Sequence, residues 1–276
     1  MVKIFPKINL SEIYGAGGSK WDCDESYREK SLKELLKCLK IEENPFTFRN
    51  ALFATIQLYF DSLVDSANSQ KASEHVRLWQ NQKHTLDQLI SAGRLFVNQF
   101  YSGNFNANEV RQKIPDYDEI LRYYDRKCYP RERHLEYHLL QTQIFARRLP
   151  RIIGSSPNTI VCIASGGFEP ACISMETFGV DNILAVKLSS FSLGEREPKL
   201  PTMAPLDYVE TAVRNKNILI VDDWINSATA FNGVLGLLKE YRPQSLAFSA
   251  VIGTSKSFSR EYKQLANRYP VTIKVI

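Results

Sequence analysis

The sequence predicts an α/β fold, a mostly parallel sheet flanked by helices and preceded by a mainly α-helical region. Three observations carry that expectation. In the second half, short β-branched runs alternate with helical patterns, as βαβ units require. In the first half, apolar residues recur at helical spacing over long stretches. The character changes near residue 135, so a helical region over 1–135 and an α/β domain over 136–276 are expected.

The elements follow in order. A strand signal at Val2–Ile4 is short and broken by Pro6, and Gly15-Ala16-Gly17-Gly18-Ser19-Lys20 lacks the spacing of a phosphate-binding P-loop, so both read as loop. Residues 46–63 place Phe48, Leu52, Phe53, Ile56, Tyr59 and Leu63 on a buried helix face, and residues 76–101 repeat the pattern. Residues 117–124 and 132–149 give two further helices, the last closed by Pro150. His134 and His138 are four apart on that helix, but no third ligand accompanies them and a surface position is expected.

Strands are then expected at 159–163, 181–191, 217–221, 245–252 and 271–276, with helices at 231–241 and 257–269 between the later ones. The run Asn217-Ile218-Leu219-Ile220-Val221 is too short for a core helix and too β-branched for a loop. It ends in Asp222-Asp223, at the strand end where open α/β sheets bind ligands. Vicinal acids can hold two neighbouring sugar hydroxyls. The small residues Asn226 to Ala230 then open a helix, whose N-terminus stabilises phosphate. Acid pair and phosphate cradle together describe a ribose 5-phosphate site.

Upstream, Thr159 to Ala171 reads as strand, Gly166-Gly167 turn and helix start. Lys187 lies near the end of the next strand, and the polar, Pro-containing stretch 192–207 carries Arg196 and Lys199. A charged stretch of that length without elements of its own suits a functional lid.

These residues resemble the type I phosphoribosyltransferases over roughly residues 140–276, with a ribose-phosphate loop closest to the orotate phosphoribosyltransferase form. Asp222-Asp223, Thr229 and Ala230 match that signature in place, while Ala228 stands where the family usually has Gly. Gly166, Gly167, Phe168, Pro170 and Ala171 match the family's pyrophosphate turn, with Ser165 replacing its usual basic residue.

The resemblance implies transfer of ribose 5-phosphate from phosphoribosyl pyrophosphate to a nucleobase or other small acceptor, with release of pyrophosphate. It implies Asp222, Asp223 and Lys187 as catalytic residues and Asn226, Ser227, Ala228, Thr229 and Ala230 as the 5-phosphate loop. Ala164, Ser165, Gly166, Gly167, Arg196 and Lys199 would receive pyrophosphate. Mg²⁺ is the implied cofactor, touched by Asp222 and Asp223 only through the bound ligand. A homodimer is implied as well. The alternative is a sensor that binds phosphoribosyl pyrophosphate or a nucleotide without transfer, as some family relatives do; relatives with added helical domains also occur in bacterial conflict systems.

Composition bounds these readings. The chain has 276 residues, 44% of them hydrophobic, enough for a sizeable core. The net charge of +5 is dispersed, which suits an anionic small ligand and speaks against nucleic acid. No apolar run approaches the roughly eighteen residues of a membrane span. Five scattered cysteines (Cys23, Cys38, Cys128, Cys162, Cys172), without a Cys-x-x-Cys pair or a signal-peptide pattern, lead to the expectation of a reducing cytoplasm.

Overall fold

The computed structural model describes residues 2–7, 30–65, 72–123, 139–153, 156–164, 166–188, 197–225, 229–253 and 271–273. Two units form. One comprises Pro6–His138 together with Pro201–Pro205, the other Met1–Phe5, Leu139–Leu200 and Leu206–Ile276.

The helical unit contains α1 (Leu32–Ile41), α2 (Pro45–Asp65), α3 (Ala72–Phe100), α4 (Ala107–Arg111) and α5 (Tyr117–Tyr123). Apolar periodicity over the longer segments does not single out α1. Its start is nonetheless encoded by Ser31 and Glu34, which form a capping box: the Ser31 N–H donates to Glu34 at 2.7 Å, and the Glu34 N–H to Ser31 Oγ at 3.4 Å. Leu32, Leu35, Leu36 and Leu39 then form its buried stripe. Asn44 caps α2 by accepting from the Phe46 and Thr47 amides at 2.9 and 3.2 Å, with Pro45 at the first helical position.

The centre of this unit is aromatic. Phe96 stacks on Phe100 at 5.0 Å between ring centroids and meets Phe53 and Phe105 edge-on at 6.0 and 5.3 Å. Arg111 joins α4 to the end of α1: its Nε donates to the Leu39 carbonyl at 2.8 Å, and its guanidinium also reaches the Glu42 carbonyl and the Glu43 carboxylate.

The second unit contains α6 (Leu139–Ile152), β1 (Thr159–Ile163), α7 (Phe168–Phe178), β2 (Ile183–Val186), α8 (Tyr208–Val213), β3 (Asn217–Ile225), α9 (Thr229–Leu238), β4 (Ser245–Gly253) and β5 (Val271–Ile273). The sheet runs β2-β1-β3-β4-β5, and every strand pair is parallel. Leu184, Val161, Ile220, Phe248 and Ile273 pair in one continuous row across it. Alternation puts Ile218, Ile220, Val161 and Ile163 on the face whose core also contains Val209 and Val213 of α8 and Phe231, Val234, Leu235 and Leu238 of α9. The opposite face takes α6 and α7, so the sheet is covered on both sides and its strands are apolar over most of their length. At the amino edge, Asn158 and Asn217 exchange hydrogen bonds at 2.7 and 3.0 Å, and Ser245 Oγ donates to Asn217 at 2.7 Å, which aligns the starts of β1, β3 and β4.

Of the boundaries that differ from the sequence expectation, three have a plain physical reason, whereas the helix expected from 76 starts at Ala72 and the strand expected from 181 runs over Ile183–Val186. Pro150 lies inside α6, which continues to Ile152. Near a helix end the missing N–H removes only one bond, and the Ile153 amide still reaches Leu149 at 3.2 Å. The strand expected to end at Val221 continues to Ile225, because β4 keeps pairing with it after β1 has stopped. The helix expected over 231–241 starts at Thr229 and tightens to a 3₁₀ turn over Lys239–Tyr241. The helix expected over 257–269, the Gly15–Lys20 stretch, and His134 and His138 lie outside the described residues.

Truncating the aromatic centre should be costly. Phe96→Ala is expected to lower unfolding free energy by about 3–5 kcal/mol, read by urea titration of the whole chain. A loss below about 1 kcal/mol would mean that the ring cluster is not the core of its unit.

Candidate functional site

The register brings the sequence motifs to one edge. The last β1–β2 pair is Ile163 with Val186, and the last β1–β3 pair is Cys162 with Val221. Beyond these pairs the three chains present, side by side, the Gly166-Gly167 turn, Lys187 and the acid pair. This is the carboxyl edge of a parallel sheet, where backbone leaves the ladder and ligands are received.

Asp222 and Asp223 are 4% and 5% exposed. Alternation continues the Ile218–Ile220 face with Asp222 and the Leu219–Val221 face with Asp223. The Asp223 amide donates to Asp222 Oδ1 at 2.8 Å. Burial pushes the Asp222 carboxyl well above the usual carboxylate range. The charge of Asp223 and a hydrogen bond between the two side chains add to the rise, and the Asp223 amide opposes it.

The turn between β1 and α7 has a steric reason for its second glycine. A Cβ on Gly167 would stand 2.4 Å from the Ile163 carbonyl oxygen and 3.3 Å from that of Val221. The turn is therefore pressed between the ends of β1 and β3, and Gly167 donates to Ile163 at 3.0 Å. Gly166 has φ 156. Ala164 is buried and its amide donates to Val186 at 2.8 Å, extending the β1–β2 ladder by one bond. Directly after β2, Lys187 forms an antiparallel bridge with Lys199, with reciprocal backbone bonds of 2.9 and 2.8 Å. Two lysines far apart in sequence are thus brought opposite one another.

Of the remaining expected site residues, Thr229 begins α9, and Ala230 places its methyl group in the core, leaving its backbone at the helix start. Ser165, Arg196, Asn226, Ser227 and Ala228 lie outside the described residues. Sequence reasoning passed over Glu169, which is 1% exposed in the first turn of α7. It occupies the variable position of its motif, so only its burial marks it. Cys162 and Cys172 are buried, and burial pushes the Cys162 thiol up, which makes it an unreactive core group.

Among the described residues, no group of three or more His, Cys, Asp or Glu side chains is arranged to hold a metal ion. Two neighbouring carboxyl groups fit a divalent cation only where the ligand's own oxygens complete its shell. No helix among the described residues is long and apolar enough to cross a membrane.

Residues 138–272 match the family model of the phosphoribosyl transferase domain, so the C-terminal half of the chain belongs to that family. No curated protein matches the chain. Among solved structures, one described as a hypothetical protein from Neisseria gonorrhoeae with bound ppGpp is 23% identical, with a TM-score of 0.31. The match covers 40% of this chain and 64% of that one.

Two outcomes follow from the geometry. Folded Asp222 holds its proton to higher pH than the unfolded chain does, so the folded state binds more protons above about pH 4 and loses stability as pH rises. Asp222→Asn should remove this loss, unfolding with more stability than the native chain at pH 7 and with a gap that closes towards pH 4. Denaturant titrations across that range check the sign; a gap that widens on acidification contradicts it. Gly167→Ala must displace backbone, and about 1–3 kcal/mol of stability should be lost in the same assay.

Proposed function

We propose, on the premise that the C-terminal half belongs to the type I phosphoribosyltransferases, that the chain transfers ribose 5-phosphate from phosphoribosyl pyrophosphate to a nucleobase or other small acceptor. The observation that carries this reading is the buried Asp222–Asp223 pair one step beyond the β1–β3 ladder, beside the Gly166–Gly167 turn. A pair so placed can hold two vicinal hydroxyls and stabilise positive charge at C1 while the bond to pyrophosphate breaks.

In this reading the start of α9 receives the 5-phosphate through backbone amides at Thr229 and Ala230, with Asn226, Ser227 and Ala228 completing the loop. The β1–α7 turn, from Ala164 through Ser165 to Gly167, receives pyrophosphate. Lys187, Lys199 and Arg196 offset its charge. Mg²⁺ would bind the ligand's pyrophosphate and ribose oxygens and neutralise them, with Asp222 and Asp223 acting on it through the ligand. Most of the rate enhancement is then positioning and electrostatics. A homodimer belongs to the same proposal.

One sequence observation favours a second reading. Ser165 and Ala228 replace a basic residue and a glycine, both useful in handling phosphate, so binding of phosphoribosyl pyrophosphate or a nucleotide without transfer is the alternative.

Calorimetric titration of phosphoribosyl pyrophosphate with Mg²⁺ tests the site on the native chain and on the Asp222→Asn/Asp223→Asn double variant. The native chain is expected to bind, and the variant to lose at least about tenfold in affinity, the equivalent of about 1.4 kcal/mol. Binding followed by pyrophosphate release with a nucleobase supports transfer. Binding without release for any acceptor supports the sensor, and equal binding by both chains removes the acid pair from the site.

A further inference from the structure

The buried charged groups of the α/β unit are of one sign. Among its described residues, the buried charged side chains are three acids, Asp222, Asp223 and Glu169, and no base. The pair follows the last β1–β3 rung and Glu169 opens α7, so all three stand at the carboxyl edge of the sheet. Lys187 and Lys199, which the register also brings to this edge, are partly exposed, and charges that meet solvent are screened by it.

Glu169 has the closest tie to the β1–α7 turn. It follows Gly167 by two residues, a rise of about 3 Å along a helix. Every Cα–Cβ bond of a helix tilts towards its N-terminus, so the Glu169 side chain leans back towards that turn. It does so away from solvent: Glu169 is 1% exposed, and Phe168, Pro170 and Ala171 around it are buried as well. Gly167, the N-cap of α7, has no side chain to satisfy the first-turn amides, and its own amide is taken by Ile163 at 3.0 Å. A negative charge in a first turn is stabilised by the helix dipole. Glu169 therefore occupies the same positive field that an anion at the turn would use.

We propose that Glu169 is a specificity-determining residue: its buried carboxylate makes the β1–α7 turn accept a diphosphate whose charge a divalent cation has lowered, and reject the free anion. The inference rests on the reading of that turn as the pyrophosphate site. A free diphosphate brings several negative charges within about 8 Å of Glu169. At an effective dielectric constant of about 20, Coulomb's law makes that repulsion worth at least about tenfold in affinity. A cation held by the diphosphate oxygens cancels most of it. Glu169 has an interaction of its own, so the informative change is Glu169→Gln, which keeps its shape and removes its charge.

Calorimetric titration with inorganic pyrophosphate, once with Mg²⁺ and once with a chelator in its place, tests this on the full chain, on Glu169→Gln and on Glu169→Asp. The native chain is expected to bind the Mg²⁺ complex at least about tenfold more tightly than the free anion. Glu169→Gln is expected to gain about tenfold for the free anion while its affinity for the Mg²⁺ complex stays within about threefold, and Glu169→Asp to keep the native preference. Equal weakening towards both forms in Glu169→Gln is what a merely structural residue gives, and it overturns the role, as does an unchanged preference. Native binding of the free anion as tight as that of the complex overturns the inference without any variant. No binding of pyrophosphate in either form removes the turn as its cradle, and the inference with it. The proposed function fails separately, by a native chain that does not bind phosphoribosyl pyrophosphate with Mg²⁺. If that ligand binds and Glu169→Gln alters no preference, only the role of Glu169 is lost.

Discussion

Burying two adjacent carboxyl groups is the constraint around which the α/β unit is built. An isolated buried charge costs several kcal/mol, so Asp222 and Asp223 need a scaffold with stability in excess and a local way to reduce their charge. The scaffold is the central strand itself. β3 is flanked by β1 and β4 and covered on both faces, so almost every side chain before Asp222 contributes burial. Local relief comes from the Asp223 amide, from the hydrogen bond between the side chains, and from protonation favoured at Asp222.

The same edge explains the glycine turn. Because β1 ends one step before the acids, its continuation must fold back at once into α7, and it does so against the carbonyls of Ile163 and Val221. No side chain fits there. At Gly167, backbone and not side chain therefore lies against the end of β3. Glu169 adds a third buried carboxyl group just behind that turn. Among the described residues, the buried acids all belong to this unit, while the one buried base, Arg49, is in α2.

The helical unit is organised differently. Its helices are tied at their ends by groups remote in sequence: Arg111 at the carbonyls closing α1, and Thr202 at those closing α2. Helix ends present unpaired carbonyls wherever they occur, and a distant donor that satisfies them also fixes the geometry of the chain delivering it.

The strands, the two long helices, the glycine turn and the acid pair were legible because each rests on a local rule: β-branched runs, 3.6-residue periodicity, and residue types that chemistry restricts. The family of the C-terminal half was legible for the same reason. Helix α1 carried its signal in Ser31 and Glu34, but its ten residues are too few to dominate a periodicity reading. The extension of β3 through the acids depended on β4, and the tolerance of Pro150 on its position near a helix end. The Lys187–Lys199 bridge, the burial of Glu169 and the seat of Thr202 join residues that no spacing rule connects. By itself the sequence determined which segments become strands and helices and which residue types end them, because those are short-range energies. Only the tertiary structure decided which of those ends meet, since that depends on strand order and register, set by the burial of the sheet as a whole.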